Sequence, residues 1–226
     1  MKNISSVIGI VLLAITLNQQ AQADVIVNTG APTGNIAYSP YNLDSNDWLA
    51  AQIHLTQTED ISSILGYISD NGDASQIGNT FTVTVYNGSA LPNPPGGSGL
   101  PTSEAFQEQA TFTANGWNGL SGLNLVLNAG YYWVAFEVAP INESTGQPNN
   151  DTFAGLMPVY TSNPLLTASY SDLSGSAYAL NYPTAKKGYD IGLEVNGTSA
   201  VPVPPSLVLF VSGLLALGRF GKRKSV

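Results

Sequence analysis

The sequence predicts an all-β protein, a single antiparallel β-sandwich of the jelly-roll kind. Two observations predict this class: apolar residues recur at every second position through much of the chain, and turns rich in Gly and Asn separate these stretches. In addition, residues 24–200 contain no capped segment with the 3.6-residue period of a useful helix. Many short strands at such spacing are typical of β-sandwiches and barrels.

The predicted strands follow one another along the middle of the chain. Alternation of apolar and polar residues marks five segments, 49–55, 81–85, 106–112, 123–127 and 189–195. Residues 131–138 are apolar on both faces, which predicts a central strand that is covered on both sides. Turns are predicted at Asp70-Asn71-Gly72-Asp73, Asn87-Gly88, Asn115-Gly116, Asn128-Ala129-Gly130 and Asn196-Gly197. Residues 91–101 and 142–152 are rich in structure breakers and predict surface loops.

Residues 1–23 predict a secretory signal peptide. Lys2 provides the positive charge, residues 7–17 are an uninterrupted apolar run, and Ala21 and Ala23 are the small residues expected before a cleavage site. The apolar run is much shorter than the roughly 20 residues of a spanning helix. We therefore expect signal peptidase to leave Asp24 as the first mature residue, followed by one domain over residues 24–200.

The charge and composition of this domain exclude several classes of function. Residues 24–200 contain 15 acidic residues and only two basic ones, Lys186 and Lys187, so no cationic surface can neutralise the phosphates of a nucleic acid. The chain has no cysteine, which excludes disulfides, thiol catalysis and cysteine-bound metals.

Catalysis has few candidate residues. The single histidine, His54, falls on the polar face of its predicted strand, and no G-x-S-x-G nucleophile motif is present. Three acidic pairs could supply the two carboxylates of a glycosidase, but solvated surface charge is the favoured interpretation of Asp44 with Asp47, Glu59 with Asp60, and Glu104 with Glu108. We expect a protein that is not an enzyme.

Two kinds of binding site are predicted as alternatives to a purely structural role. Asp70, Asn71 and Asp73 place hard oxygen ligands on one turn, as calcium requires, although the same residue types also make ordinary turns. Loop aromatics could stack on sugar rings, or else close the ends of the core; they are Tyr41, Trp48 and Trp117, with Tyr38 and Tyr160 nearby. Apart from calcium, no cofactor is expected.

Residues 201–226 differ sharply from the rest of the chain. The prolines of Val201-Pro202-Val203-Pro204 precede an apolar run, residues 205–220, that as a helix would reach about 24 Å against a hydrocarbon core of about 30 Å. Four basic residues follow the run or lie at its end and predict a cytoplasmic C-terminus: Arg219, Lys222, Arg223 and Lys224. This short transmembrane helix would leave the domain outside the inner membrane.

The proline motif, the apolar run with Ser212-Gly213-Leu214-Leu215 and the basic end resemble the PEP-CTERM sorting signal of Gram-negative bacteria. The resemblance implies processing by exosortase, a membrane-embedded cysteine transpeptidase that is thought to cut near the proline motif. Val203 stands where the family usually has a glutamate.

Over roughly residues 48–138 the domain is similar to "choice-of-anchor" extracellular β-sandwich domains. The segments that carry this similarity are residues 51–53, 61–67, 83–86, 100–101, 116–120 and 129–133.

These observations predict an exported protein of the cell surface or extracellular matrix. It would be held in the inner membrane transiently, with its domain in the periplasm, and then reach the surface or the medium. Its expected role is structural or adhesive and linked to exopolysaccharide or biofilm, with exosortase and signal peptidase as processing partners. The alternative is a carbohydrate-binding module that uses loop aromatics and, in one version, calcium.

Overall fold

The computed structural model describes residues 24–33, 40–89, 100–101, 103–142, 144–159, 161–163, 165–171, 178–181 and 190–199. The predicted all-β class is confirmed for these residues, whose only helical element is a 3-10 turn at Ala74–Gln76. None of their helices has the length and apolar character needed to cross a bilayer. The predicted signal peptide, the proline motif, the apolar run and the basic end lie outside the described ranges.

The described chain forms strands that are almost all short. They are β1 (Asp24–Asn28), β2 (Tyr41–Leu43), β3 (Asp47–Leu55), β4 (Glu59–Ile68), β5 (Thr80–Asn87), β6 (Glu104–Thr111), β7 (Gly116–Leu127), β8 (Gly130–Glu137), β9 (Ile141–Asn142), β10 (Gln147–Pro148), β11 (Gly155–Met157), β12 (Thr167–Ser171), β13 (Tyr178–Asn181) and β14 (Leu193–Ser199).

Six strands form the larger sheet, in the order β13-β12-β3-β8-β5-β6, and every pair is antiparallel. The predicted central strand is confirmed, because β8 lies between β3 and β5 and residues 132–137 are all buried. Both faces of β8 are therefore covered. The register pairs Phe136 with Leu49 on one side and with Val83 on the other.

Four strands form the second sheet, in the order β1-β14-β4-β7, again with antiparallel pairs. Two short ribbons, β9 with β10 and β2 with β11, complete the structure. The chain passes from one sheet to the other between β3 and β4, β4 and β5, β6 and β7, and β7 and β8, whereas β5 and β6 are neighbours in one sheet. The predicted turns at Asn115-Gly116 and Asn128-Ala129-Gly130 thus connect strands of different sheets.

The two sheets share one hydrophobic core. The larger sheet contributes alternate residues of β3, β5 and β8. The smaller sheet contributes alternate residues of β14 and residues on both sides of an irregularity in β4. Among the most buried are Leu49, Phe81, Phe136, Ile61, Ile64, Leu193 and Val195. The sheets approach closely at Gly66, where a Cβ would lie 2.6 Å from Cε1 of Phe136. Burying each large side chain in such a core stabilises the fold by about 1.5–3 kcal/mol.

The turn predicted at Asn196-Gly197 is wrong. Both residues lie inside β14, where Asn196 pairs with Val25 and Ser63, and a register shift falls between Asn196 and Gly197. A Cβ at Gly197 would lie 2.6 Å from the carbonyl oxygen of Asp60, so this glycine permits close approach of a strand rather than a turn. Two neighbouring strands supply backbone partners here, and they outweigh the local turn preference of Asn-Gly.

The predicted loop over 142–152 contains part of the β9–β10 ribbon, which pairs Asn142 with Gln147 and Ile141 with Pro148. Of the other predicted loop, 91–101, only residues 100 and 101 belong to the described part of the chain.

Candidate binding face of the six-stranded sheet

The face of the six-stranded sheet that points away from the core carries a buried carboxylate, a group of packed aromatic rings and a polar cleft. On β8 the core side holds Tyr132, Val134 and Phe136, so Trp133, Ala135 and Glu137 point outward. A second, small hydrophobic cluster covers this outer face around Trp133, with Ala50, Ala135 and Ala168 and the partly buried Tyr86, Leu100, Leu166 and Tyr178.

Glu137 is a fully buried carboxylate within this outer layer. Three hydroxyl groups donate hydrogen bonds to it: Oγ1 of Thr84 at 2.5 Å, the Tyr178 hydroxyl at 2.5 Å and the Tyr86 hydroxyl at 3.0 Å. These donors come from β5, which is next to β8, and from β13, which is three strands away on the other side of β8. The carboxylate therefore ties the edge strand β13 to the centre of the sheet.

Burial dominates the electrostatics of this cluster. Removal from water raises the pKa of Glu137, against the opposing effect of its three hydroxyl donors, and the nearby Glu104 raises it further. The pKa of the Tyr178 hydroxyl is also raised by burial, and so is that of Tyr86, with Glu137 adding to both. The two tyrosines therefore remain neutral hydrogen-bond donors over the physiological range.

Three aromatic rings pack beside Glu137. Trp48 stacks on Tyr170 with ring centroids 4.0 Å apart and planes 12° from parallel, and Tyr178 contacts both rings at 6.4 Å and 6.0 Å. The indole N–H of Trp48 donates to the Val138 carbonyl at 3.1 Å, which fixes the ring. One face of the Trp48 indole is thus occupied by a side chain of the protein itself.

The three aromatics predicted to bind sugar do not lie together. Tyr41 lies near Trp48, since its hydroxyl donates to the Tyr170 carbonyl oxygen at 2.9 Å. Trp117, however, is on β7 of the other sheet, where it pairs with Tyr67 and contacts that ring edge-on at 5.5 Å. The hydrophobic core separates it from Tyr41 and Trp48. Tyr38 and Tyr160 lie outside the described residues.

A cleft lined by amides lies at the β6 edge of the same outer face. We call it the amide cleft; it has a volume of about 300 Å³ and is lined by Gln107, Glu108, Gln109, Asn142, Pro148, Asn149 and Asn150. Gln107, Glu108 and Gln109 come from β6, where Gln107 and Gln109 pair with Thr84 and Thr82 of β5. The other four lining residues come from β9, β10 and the chain that follows β10. The β9–β10 ribbon is bound to β6 through the hydrogen bond from Asn142 to Gln107 at 2.9 Å.

Asp151 supports the floor of the amide cleft. Its Oδ2 accepts from Oγ1 of Thr82 at 2.6 Å and from the Ala139 N–H at 3.0 Å, and its Oδ1 accepts from Nε2 of Gln109 at 2.6 Å. The fully buried Thr82 hydroxyl in turn accepts from Nδ2 of Asn149 at 3.0 Å. Hydrogen bonds to Asp151 and Thr82 therefore orient the amides of Gln109 and Asn149.

The residues predicted to bind calcium form a turn in which the carboxylates accept backbone hydrogen bonds. Oδ1 of Asp70 accepts from the Gly72 N–H at 2.8 Å, and Asp73 caps the 3-10 turn by accepting from the Ser75 N–H at 3.0 Å. The hydrogen bonds from Ser75 lower the pKa of Asp73. Asn71 adopts a positive φ of 55°. No cluster of three acidic or histidine side chains suited to a metal occurs in the described ranges.

The candidate catalytic residues are dispersed as well. His54 is exposed on the outer face and its ring stacks on that of Tyr131, with centroids 4.2 Å apart, which confirms the predicted surface histidine.

The predicted acidic pairs do not form facing carboxylates. A register shift next to Tyr86 puts Glu104 and Glu108 on opposite sides of β6. Glu104 pairs with Tyr86 of the outer face, whereas Glu108 pairs with Val83 of the core face. Glu59 and Asp60 are successive residues of β4 and point to opposite faces. Oδ1 of Asp44 accepts from the N–H groups of Asn46 and Asp47.

The sequence did not identify Glu137, Tyr170, Tyr178 or the cleft amides as site residues. One signal was present for Glu137: it continues the outer series of Tyr131, Trp133 and Ala135 on a strand predicted to be covered on both sides.

No known protein family matches the chain, and no curated protein matches it either. The chemistry of the outer face therefore decides which functions are supported. At one end of this face Glu137 is fully buried and hydrogen-bonded by the hydroxyls of Thr84, Tyr86 and Tyr178, which suits a structural role. Its amide cleft is open, uncharged along most of its lining and rich in hydrogen-bonding groups, which suits the binding of a polar ligand.

Proposed function

We propose that this chain is an exported jelly-roll protein with a structural or adhesive role at the cell surface or in an extracellular polysaccharide matrix. Signal peptidase releases its N-terminus after Ala23, and an exosortase-type enzyme cuts near Val201-Pro202-Val203-Pro204. The repeated passage of the chain between two antiparallel sheets supports the jelly-roll assignment.

The observation that carries this proposal is the pairing of the first and last described strands. β1 (Asp24–Asn28) and β14 (Leu193–Ser199) are the described strands nearest in sequence to the two predicted processing points. The two strands are paired, with Asp24 opposite Gly197, so the start of β1 and the end of β14 lie at the same end of one sheet. Cleavage at both points would leave every described strand intact.

The intact mass of the exported protein tests the proposal. In a host with exosortase we expect a chain that begins at Asp24 and lacks residues 205–226, and in the same host without exosortase we expect the tail to be retained. A Val203→Glu variant restores the more usual residue of the motif and should be processed at least as completely. An exported protein that still contains Lys222 and Arg223 in the exosortase-positive host would contradict the proposal.

Carbohydrate binding is the second candidate function. The observation that favours it is the amide cleft, because a polar cleft with fixed amides can hydrogen-bond several hydroxyls at once. Tyr41, Trp48 and Trp117 do not form one aromatic platform, so they give carbohydrate binding less support.

A calcium-assisted version of this function would use Asp70, Asn71 and Asp73. It predicts a higher melting temperature in millimolar calcium than in EDTA, since a ligand that binds only the folded state stabilises that state. Equal melting temperatures would refute it.

A further inference from the structure

We infer that the amide cleft binds an uncharged sugar unit of a polysaccharide through the side chains of Gln109, Asn149 and Asn150. This inference rests on the second candidate function and deepens it, because it assigns the ligand class and moves the site away from the loop aromatics.

The first argument is the chemistry of the lining. Five of the seven lining residues are Asn or Gln, whose side chains both donate and accept hydrogen bonds without carrying charge. A sugar hydroxyl also donates and accepts, so one amide can hold two neighbouring hydroxyls of a ring. An apolar ligand would leave these amides without partners, at a cost for each buried group.

The second argument is the supply of unused hydrogen-bonding atoms. Several amide atoms of the cleft are already committed: Oε1 of Gln107 accepts from Asn142 and Asn149, and Nε2 of Gln109 donates to Asp151. Within the described part of the chain, Oε1 of Gln109, Oδ1 of Asn149 and the side-chain amide of Asn150 have no such partner. Gln109 and Asn149 are held by the hydrogen bonds of their other amide atoms, so little of their side-chain entropy is lost when the ligand arrives.

The third argument is charge. The only ionisable residue among the lining side chains is Glu108, and Asp151 lies beneath them. Residues 24–200 carry 15 acidic side chains and two lysines, so the field around the cleft repels anions. A neutral sugar unit is therefore favoured over a uronic acid, a sulfated sugar or a phosphate.

The size of the cleft sets the length of ligand that it holds. A volume of about 300 Å³ lies at the lower end of small-molecule sites, which are typically about 300–1,000 Å³. One sugar ring with parts of its neighbours fills such a space, and because the cleft is open a longer chain can continue beyond it.

The test is a calorimetric titration of the exported protein with dextran and galactomannan as neutral polysaccharides, alginate as an anionic one and glucose as a free sugar. We expect binding to at least one neutral polymer and none to alginate, with glucose at least tenfold weaker than the polymer. The variants Gln109→Leu and Asn150→Leu change side chains with free amide atoms and should each weaken binding about five- to tenfold, the effect of about one hydrogen bond.

The matched control is Gln57→Leu, an exposed amide next to the four-stranded sheet, which should leave the affinity unchanged. Circular dichroism of each variant confirms folding. Binding to no neutral polymer, preferential binding to alginate, or equal affinities of wild type and both cleft variants would overturn the inference. If Trp117→Ala abolishes binding and the cleft variants do not, glycan binding survives as a function while the cleft assignment fails. None of these outcomes alters the mass test of the sorting proposal.

Discussion

The two faces of the six-stranded sheet are both covered along its central strand, but they are covered in different ways. Phe136 faces the core, where it packs against Phe81 and lies opposite Gly66. The next residue, Glu137, faces outward and is just as fully buried, yet it is held by three hydroxyl groups. The core face depends on apolar packing, whereas the outer face depends on satisfied polar groups and ends in an open amide cleft. Because Phe136 and Glu137 are equally buried, burial alone does not distinguish residues of the hydrophobic core from residues of a candidate binding face.

The largest expected effect comes from the core face. Phe136→Ala removes a fully buried ring and leaves a cavity between the sheets, so we expect a loss of about 3–5 kcal/mol in the free energy of unfolding. Urea denaturation followed by circular dichroism measures it, with Phe136→Leu as a milder control. A loss below about 1 kcal/mol for the alanine variant would mean that the inner face is not the main core.

Glu137→Ala tests the outer face. It leaves the hydroxyls of Thr84, Tyr86 and Tyr178 without their shared acceptor, and we expect a loss of about 1–3 kcal/mol in the same denaturation experiment. A loss as large as that of Phe136→Ala would remove the proposed difference between the two faces.

The pH dependence of stability sharpens the comparison further. Burial raises the pKa of Glu137, so the folded state binds this proton more tightly than the unfolded state. The resulting stabilisation is fully present below the ordinary pKa of a glutamate, about 4.3, and is lost as the pH rises through the higher folded value. The groups that face it are Tyr86 and Tyr178, which stay neutral, and Glu104.

We therefore expect the stability of the wild type to fall relative to Glu137→Gln as the pH is raised from 4 to 8. Urea midpoints of both proteins at each pH provide the measurement, and the difference between them isolates this one group from all other carboxylates. Parallel profiles for the two proteins would show that Glu137 does not titrate differently in the folded state.

A smaller effect is expected for Tyr178→Phe. The variant loses the hydrogen bond to Glu137 but keeps the ring packing with Trp48 and Tyr170, at a cost of about 1 kcal/mol, or about 2–4 °C in melting temperature. Tyr67→Phe on the other sheet is the control, since its hydroxyl makes no hydrogen bond with a described residue. Equal melting temperatures of Tyr178→Phe and the wild type would show that β13 is not held through Glu137.

The smallest effect is expected at the exposed end of the outer face. His54 stacks on Tyr131 but remains open to water, so His54→Ala should change the free energy of unfolding by less than about 0.5 kcal/mol. A thermal melt at pH 7 is sufficient to measure it, and a drop of several degrees would mean that this end is covered after all.

The sequence predicted the parts of the fold that local patterns determine. Alternation located β3 and β5 because one face of each strand is apolar, and residues 131–138, apolar on both faces, located β8 and showed that it is central. Turn signals were less reliable. Asn-Gly lies inside β14 because pairing with β1 and β4, which are distant in sequence, outweighs the local preference of Asn196 and Gly197.

The candidate site could not be predicted in the same way, because it is assembled from distant segments. Glu137 meets Tyr178, Tyr86 and Thr84 across 41, 51 and 53 residues of sequence. The amide cleft forms where Asn142 meets Gln107 across 35 residues. An acidic residue or an isolated amide on a strand is typical of an exposed surface, and only the register of the sheet brings these residues together.

The most direct test of the difference between the two faces is an NMR titration of the side-chain amide groups of Asn and Gln. As a neutral polysaccharide fragment is added to the isotope-labelled exported protein, we expect the amide signals of Gln107, Gln109, Asn149 and Asn150 to shift, while those of Gln57 and Asn196 on the four-stranded sheet stay in place. Shifts confined to the four-stranded sheet, or no shifts at the cleft at saturating ligand, would contradict the assignment of the outer face as the binding face.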